Sequence, residues 1–454
     1  MSTVTETITV TNGCCHGRFE SKSLGSKIDY DYFFAPITKA RIHNYLRVMG
    51  DKMSNIQGRA FKFSNGNPHP KTFPYEEISV KLRNGQSFQV NGLQLDQGLS
   101  YLNCNGYQPL LNLLKDYQDR FHGNQDWSKK DVTTISGSQG GLHQMLEMCV
   151  APGDPILLQS PLYTGVVSVL HPLNAEFIEI ESGANGICTK SLANTLEERR
   201  RRNLPMPKVF YLNPVGCNPT GEMISVEKKK EIYKIACEYN LLIFEDDAYF
   251  LLTFNSEIPT SFLALDTENR VVRFDTVSKT VGAGLRLGYV TAPKEIVAKL
   301  NLVKESSTYC SPFCQIIVHE TLNSMGFDGF MNHLHSLRGF YKEHLKTVIK
   351  SLNQHFKDIA TWDVPEAGFF VWLTIKNVDH ISEDFINKCF KNLVLIVPGF
   401  AFYAKEKLSP CIRLCFSLVE EDEIIEGFEI LARLLKEEIA EQMNNKTKYS
   451  LFSK

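Results

Sequence analysis

The chain reads as an α/β protein, with a large domain built on a mostly parallel sheet between helices and a smaller α+β domain behind it. Three observations predict this. Short apolar runs, PILLQ (155–159), VFYL (209–212), LLIFE (241–245) and VVRF (271–274), are each bounded by turn residues. Stretches with helical spacing separate them, among them GLHQMLEMCV (141–150) and SVEKKKEIYKIACEYN (225–240), an alternation that covers both faces of a parallel sheet. After about Gly326 the pattern changes to a long helix, then strand-rich segments at FFVWLTI (369–375) and VLIVPGF (394–400), then a final amphipathic helix.

In chain order, residues 1–27 read as a loose polar tail and 28–75 as an N-terminal arm on the substrate side. Residues 76–326 read as the large domain, and 327–454 as a linking helix with the small domain. At 454 residues there is material for a deep cleft between two domains. The formal net charge of −2 and the lack of a basic stripe with interleaved aromatics give no sign of a nucleic-acid partner. No apolar run reaches the ~20 residues that span a bilayer, so a soluble protein is expected, with no membrane partner. The N-terminal segment carries Glu6 and Glu20 and lacks both a secretory core and an organelle presequence pattern, which makes the cytoplasm the default compartment with the mitochondrion left open. The twelve cysteines show no repeating ligand spacing, so they read as reduced thiols and no metal site is expected.

In parallel sheets ligands collect at the carboxyl ends of the strands, and here the strand ends carry chemistry. In SGSQGGLHQML (136–146) small residues lead into a helix, leaving backbone N–H groups and the Ser138 hydroxyl able to hold a phosphate; an ordinary glycine-rich helix cap reads the same way. YLNPVGCNPTGEMIS (211–225) is a turn-rich loop whose Asn218 can present an amide to a ring substituent, or is simply a turn before a helix. In LLIFEDDAYF (241–250), Asp246 at the strand exit suits a protonated heterocyclic nitrogen, with Tyr249 three residues on; the three acids also fit a metal cluster or a solvated corner. The last is FDTVSKTVGAGLRLGYV (274–290). Lys279 stands at the mouth of an apolar strand, where desolvation turns a surface cation into a nucleophilic amine. Thr276, Ser278 and Arg286 add two hydroxyls and a guanidinium fork for a phosphate dianion. Together these parts describe one ligand, pyridoxal 5′-phosphate.

The order SGSQGG, SPLY, NPTG, EDDAY, SKxxxxGLRxG and SPCIRLCFS resembles the fold-type I aminotransferases of class I/II, most of all the branch of kynurenine/2-aminoadipate and fungal aromatic aminotransferases. The resemblance runs from about Tyr30 to Ile439 and implies a mostly parallel seven-stranded sheet. It implies that Lys279 carries the cofactor and that Asp246 pairs with the pyridine nitrogen. Asn218 and Tyr249 would meet the ring oxygen, and Tyr163 would stack on the ring. Ser138, Gln139, Thr276, Ser278 and Arg286 would take the phosphate, and Arg413 the substrate α-carboxylate. Tyr101 resembles the tyrosine that reaches the phosphate of a neighbouring subunit, which implies a homodimer with shared active sites. Near the start, KARIHNYLR (39–47) replaces the family's ARxPSPxR, leaving Arg47 as a substrate contact. SNGNPHPKTFP (64–74) replaces GGLPxPxxFP, with Gly66 on the substrate side.

The resemblance implies ping-pong transfer of an amino group from an aromatic, kynurenine-like or 2-aminoadipate-like amino acid to a 2-oxo acid such as 2-oxoglutarate. Lys279 would be the general base and the protonated ring the electron sink. A cyclopropane-forming synthase or β-lyase would keep the same cofactor residues. A regulator built on this domain would need a DNA-binding segment for which the short tail leaves no room.

Overall fold

The computed structural model describes residues 28–46, 48–49, 61, 63, 66–183, 186–255 and 257–452; residues 1–27, read above as a tail, and Arg47 lie outside them. A hairpin of β1 (Glu77–Lys81) and β2 (Ser87–Asn91) precedes the main sheet. That sheet contains β3 (Lys130–Ile135), β4 (Pro155–Ser160), β5 (Glu176–Gly183), β6 (Gly186–Ile187), β7 (Val209–Leu212), β8 (Leu242–Asp246), β9 (Val271–Thr276) and β10 (Gly288–Pro293). Their spatial order is β3-β10-β9-β8-β7-β4-β5-β6. The run from β5 through β4, β7 and β8 to β9 is parallel, and β10 lies antiparallel between β9 and β3.

Among the described residues the sheet therefore has eight strands where seven were expected. The addition is the two-residue β6, which folds back on the edge strand β5 and is too short to leave a periodic signature in the sequence.

Continuous apolar runs predict strands buried on both faces, and they are. Ile156, Leu158, Phe244, Phe274 and Val290 meet Leu142, Met145, Leu146, Ile296 and Leu300 of the helices Gly137–Cys149 and Lys294–Glu305. Their neighbours in the alternation, Leu157, Phe210, Ile243 and Val271, meet Leu192, Leu196, Ile232 and Ala236 of the helices Thr189–Arg201 and Val226–Glu238 on the other side. Each such side chain stabilises the fold by roughly 1.5–3 kcal/mol.

The helix Pro312–His355 is broken at Gly326, whose φ of 64° and ψ of 174° are non-helical. Ile316, Val318, Leu322, Phe330 and Leu334 pack with the large sheet's surroundings. Leu345, Val348 and Leu352 belong to a second core with Phe370, Val371, Leu373, Ile412 and the final helix, Glu421–Phe452. One helix thus passes from one core into the other. The smaller sheet is antiparallel, with β11 (Ala360–Trp362), β12 (Phe370–Ile375), β13 (Val397–Pro398) and β14 (Cys411–Cys415) in the order β11-β12-β14-β13. VLIVPGF supplies only two strand residues, and the chain turns into a short 3-10 helix at Gly399–Phe402. Pro398 has no N–H to extend the ladder, and a Cβ on Gly399 would come within 2.5 Å of Ser409 Oγ and 2.8 Å of Cys411 Cβ.

Candidate active site

Strand register assembles the site. Gly288 pairs with Ile135 on one side and Thr276 on the other, so the segments that follow Ile135, precede Gly288 and follow Thr276 converge at one edge of the sheet. They are the Ser136–Gln139 turn, Arg286, and Ser278 with Lys279. The approach is close. A Cβ on Gly137, which has φ +70°, would sit 2.5 Å from Arg286 Nη2, and one on Gly288 would sit 3.2 Å from Ser138 N. Ser136, at the cap position of the helix Gly137–Cys149, makes no side-chain capping bond, which leaves the positive helix end facing this corner. Thr276 Oγ1 lies 2.9 Å from Ser278 Oγ, and Arg286 is held by the Ser136 and Ala283 carbonyls at 3.3 Å. A helix end, two hydroxyls and a guanidinium around one corner are the donor set of a phosphate dianion.

One strand further in, Asp246 pairs in register with Phe274 and is only 4% exposed. Tyr211 of β7 donates its hydroxyl to Asp246 Oδ2 at 2.8 Å, while Oδ1 is buried without a hydrogen-bond partner among the described residues. Burial raises the Asp246 carboxyl to about 6, against the opposing pull of the Tyr211 hydrogen bond. An orphaned carboxylate oxygen in such a place fits a ligand that brings a positively charged N–H, which would restore the ionised form.

Lys279 ends a short 3-10 helix, with Nζ 5.8 Å from the centroid of the Tyr249 ring and 5.6 Å from that of Phe369. Desolvation lowers its ammonium pKa; Arg286 lowers it further, while Cys415 and Asp246 act the other way. Tyr249 is buried edge-on against Phe369 and Phe370, and its phenol is pushed upward by burial and then by Asp246. Tyr163 follows β4 and is half-buried; a Cβ on Gly165 would come within 2.5 Å of its ring carbons and of Gln139 Oε1. Gln139 spends its amide on the Gly165 carbonyl at 2.9 Å and leaves Oε1 unpartnered.

The small domain closes the site from β14. Arg413 donates through Nη1 to Asn218 Oδ1 at 2.8 Å and stacks over Phe370 and Phe402, while its Nε is buried without a partner. Asn218 is fixed by Asn213, whose Oδ1 accepts the Asn218 N–H at 2.7 Å and whose amide bonds the Asp246 carbonyl.

Two expected residues are not brought here. Tyr101 is 63% exposed on the loop after the helix Gly92–Gly98, and Gly66 is exposed with nothing within 4 Å of a Cβ built on it. In the substituted KARIHNYLR segment, Arg41 bonds Ser306 and His43 meets Glu305, which pins it to the end of the helix Lys294–Glu305.

Tyr211 and Asn213 were missed. The signal for both was a polar group within or just after an all-buried strand, VFYLN. Also missed was Arg273, hidden in the run VVRF. It is fully buried and bridges Glu245, Asp247 and Asp275 at 3.1, 2.8 and 2.9 Å. Glu245 also accepts the Phe262 and Leu263 N–H groups. The three consecutive acids are thus neither a solvated corner nor, among the described residues, a metal cluster. Strand alternation turns Asp246 toward the cleft and its neighbours away from it.

An α/β sheet edge that offers a phosphate corner, a desolvated lysine and a buried anion defines an enzyme class that works through a pyridine aldehyde. Residues 80–431 match the family described as aminotransferase class I and II. The bovine mitochondrial kynurenine/alpha-aminoadipate aminotransferase is 32% identical over 426 residues, 91% of this chain and 100% of that protein. The aminotransferase tdiD of Emericella nidulans is 34% identical over 387 residues, 82% of this chain and 88% of its own. Among solved structures, Pyrococcus horikoshii kynurenine aminotransferase, in complex with PMP, superposes with a TM-score of 0.72 at 26% identity, covering 90% of this chain and 98% of that one. Candida albicans Aro8 reaches a TM-score of 0.82 at 23% identity over 91% of this chain and 99% of its own, a likeness of fold. The chain belongs to the class I and II aminotransferases, and its activity is pyridoxal-phosphate-dependent transamination.

Proposed function

We propose that the amino donor is an aromatic, kynurenine-like or 2-aminoadipate-like amino acid and the acceptor a 2-oxo acid such as 2-oxoglutarate. The names of the bovine relative and of the Pyrococcus structure support the donor class. The observation that carries the site assignment is the buried, unpartnered Asp246 Oδ1 at the same sheet edge as the desolvated Lys279.

Pyridoxal phosphate, when bound, supplies the aldehyde that takes up the amino group and a ring that accepts electrons. Desolvation lowers the ammonium pKa of Lys279, the direction a general base needs, and the amine would hold the proton between its removal from and return to carbon. Asp246, kept ionised by a cationic N–H partner, holds the ring nitrogen's charge, with Tyr211 steadying its second oxygen. Asn218 and Tyr249 take the ring oxygen and Tyr163 covers the ring. Ser138, Gln139, Thr276, Ser278 and Arg286 hold the phosphate. Arg413, held through Nη1 by Asn218, would offer its unpartnered Nε and the rest of its fork to the α-carboxylate. Shielding by Phe369, Phe370 and Phe402 keeps water from this end.

The reading includes a homodimer in which Tyr101 serves the partner's phosphate, the division into 28–75, 76–326 and 327–454, and a cytoplasmic location, with the mitochondrion as the alternative raised by the bovine relative's name. The free thiols, several of them buried, support a reducing compartment. Assay of the purified protein against a panel of amino donors with 2-oxoglutarate tests the substrate class. Preference for aspartate or alanine overturns it, and elimination products in place of a new amino acid show a lyase. Full activity in a species whose solution mass is that of one chain overturns the shared site.

A further inference from the structure

The helix that runs on from Gly326 does more than join two cores. His333 reaches across to the large domain, where its Nε2 lies 2.7 Å from the carbonyl of Thr280, the residue after Lys279. A carbonyl can only accept, so Nε2 carries the proton. Five residues on, Arg338 donates to the Leu251 carbonyl at 2.8 Å, two residues past Tyr249. Another turn on, Tyr341 packs against Phe369 at 5.4 Å between ring centroids. Each of these residues touches a segment that bears or walls the lysine. Lys279 itself ends a 3-10 turn, and the Thr280 N–H is already spent on the Val277 carbonyl. The carbonyl of the next peptide unit, Thr280–Val281, is held from the helix.

We propose that His333 is a positioning residue for Lys279. By fixing the Thr280 carbonyl it sets the direction from which the amine enters the cleft, and it ties that direction to the small domain whose core the same helix enters. The inference rests on the reading of Lys279 as the cofactor-bearing base. Groups that face Lys279 are Asp246 from β8, Arg286 from the segment before β10, Cys415 from β14 and the Tyr249 ring, and none of them is altered by a change at His333.

The test compares His333→Leu with His333→Gln in the full-length, cofactor-loaded enzyme. Glutamine places an amide N–H at a similar reach; leucine does not. In His333→Leu, kcat should fall about tenfold or more with KM for both substrates within about twofold, the pattern of a loss confined to the chemical step. The pH midpoint of the resting enzyme's visible absorbance should also move by about half a unit. His333→Gln should restore both. If His333→Leu fails to fold, His333→Asn, which keeps an amide but is one bond too short, takes its place. Unchanged kcat and midpoint overturn the proposal, as does a loss that glutamine does not rescue or that raises KM in step. Lys279→Ala run alongside separates the two readings: if it stays active, the base assignment fails; if it is inactive while the His333 variants match the parent, only the positioning role fails.

Discussion

A buried acid cluster and a single buried acid lie on opposite faces of the sheet at the ends of β8 and β9. Behind the sheet, Glu245, Asp247 and Asp275 surround Arg273, which is 0% exposed and stacks over Phe250 at 4.3 Å. In front, Asp246 has a phenol as its side-chain partner and no ion pair among the described residues. Asp247 also leaves one oxygen unbonded, but its other meets a guanidinium; Asp246 has no such countercharge. The cluster that contains its own cation is complete without a ligand. The acid that lacks one is waiting on chemistry from outside the chain. Burial alone does not mark a functional carboxylate; burial without a counterion does.

The sharpest way to break this comparison is at Lys279. Lys279→Ala should cut transaminase turnover by about four orders of magnitude while the protein remains folded, since the base is lost and no other lysine among the described residues stands at that edge. Near-native turnover would sink the front face as the reaction centre.

Behind the sheet the expected effect is on stability. Arg273→Met strands three carboxylates in the interior and should cost about 3–5 kcal/mol in urea unfolding. A variant within about 1 kcal/mol of the parent would mean that the rear cluster is hydrated or protonated rather than paired.

Asp246→Asn should separate the two faces by pH. With its folded-state carboxyl raised to about 6, the native protein binds the proton more tightly than the unfolded chain does. Native stability from this group is therefore present at low pH and is lost as pH rises from the unfolded value through about 6. In cofactor-free protein, asparagine avoids that cost, so the variant should be more stable than the parent by about 2–3 kcal/mol above that pH, with the gap closing toward pH 4. Thermal melts across pH check this, and turnover of the loaded enzyme should fall at the same time. A gap independent of pH would show that Asp246 is ionised at no cost even in the cofactor-free protein.

The smallest effect is expected at Tyr211. Tyr211→Phe removes the one hydrogen bond to Asp246 Oδ2 and should cost about 1 kcal/mol. It should also shift the pH dependence just described to higher pH, since that bond pulls the carboxyl down. No shift would mean that water takes the phenol's place.

Much of this was legible in the chain itself. The apolar runs located strands β4, β7, β8 and β9 because a strand buried on both faces must be apolar throughout, and the residues just past them had to be the polar ones. Lys279, Asp246, Asn218 and Arg286 could be singled out because each is a polar or charged residue beside such a run, while Arg413 came only through the resemblance carried by SPCIRLCFS. The local pattern was silent where a partner lies far along the chain. Tyr211 and Arg273 looked like interruptions in apolar strands, because nothing nearby shows that Asp246 is 35 residues from one and that Glu245 and Asp247 flank the other across the sheet.

Sequence by itself determined which groups are present and which strand end each follows, since period and chemical type are properties of neighbouring residues. Only tertiary structure decided that Glu245 and Asp247 turn behind the sheet to Arg273, that Gly288 brings Ile135 and Thr276 into one row, and that His333 meets the peptide beyond Lys279. Those outcomes depend on register and on contacts between residues far apart in the chain, whose energies arise only once both partners are buried together.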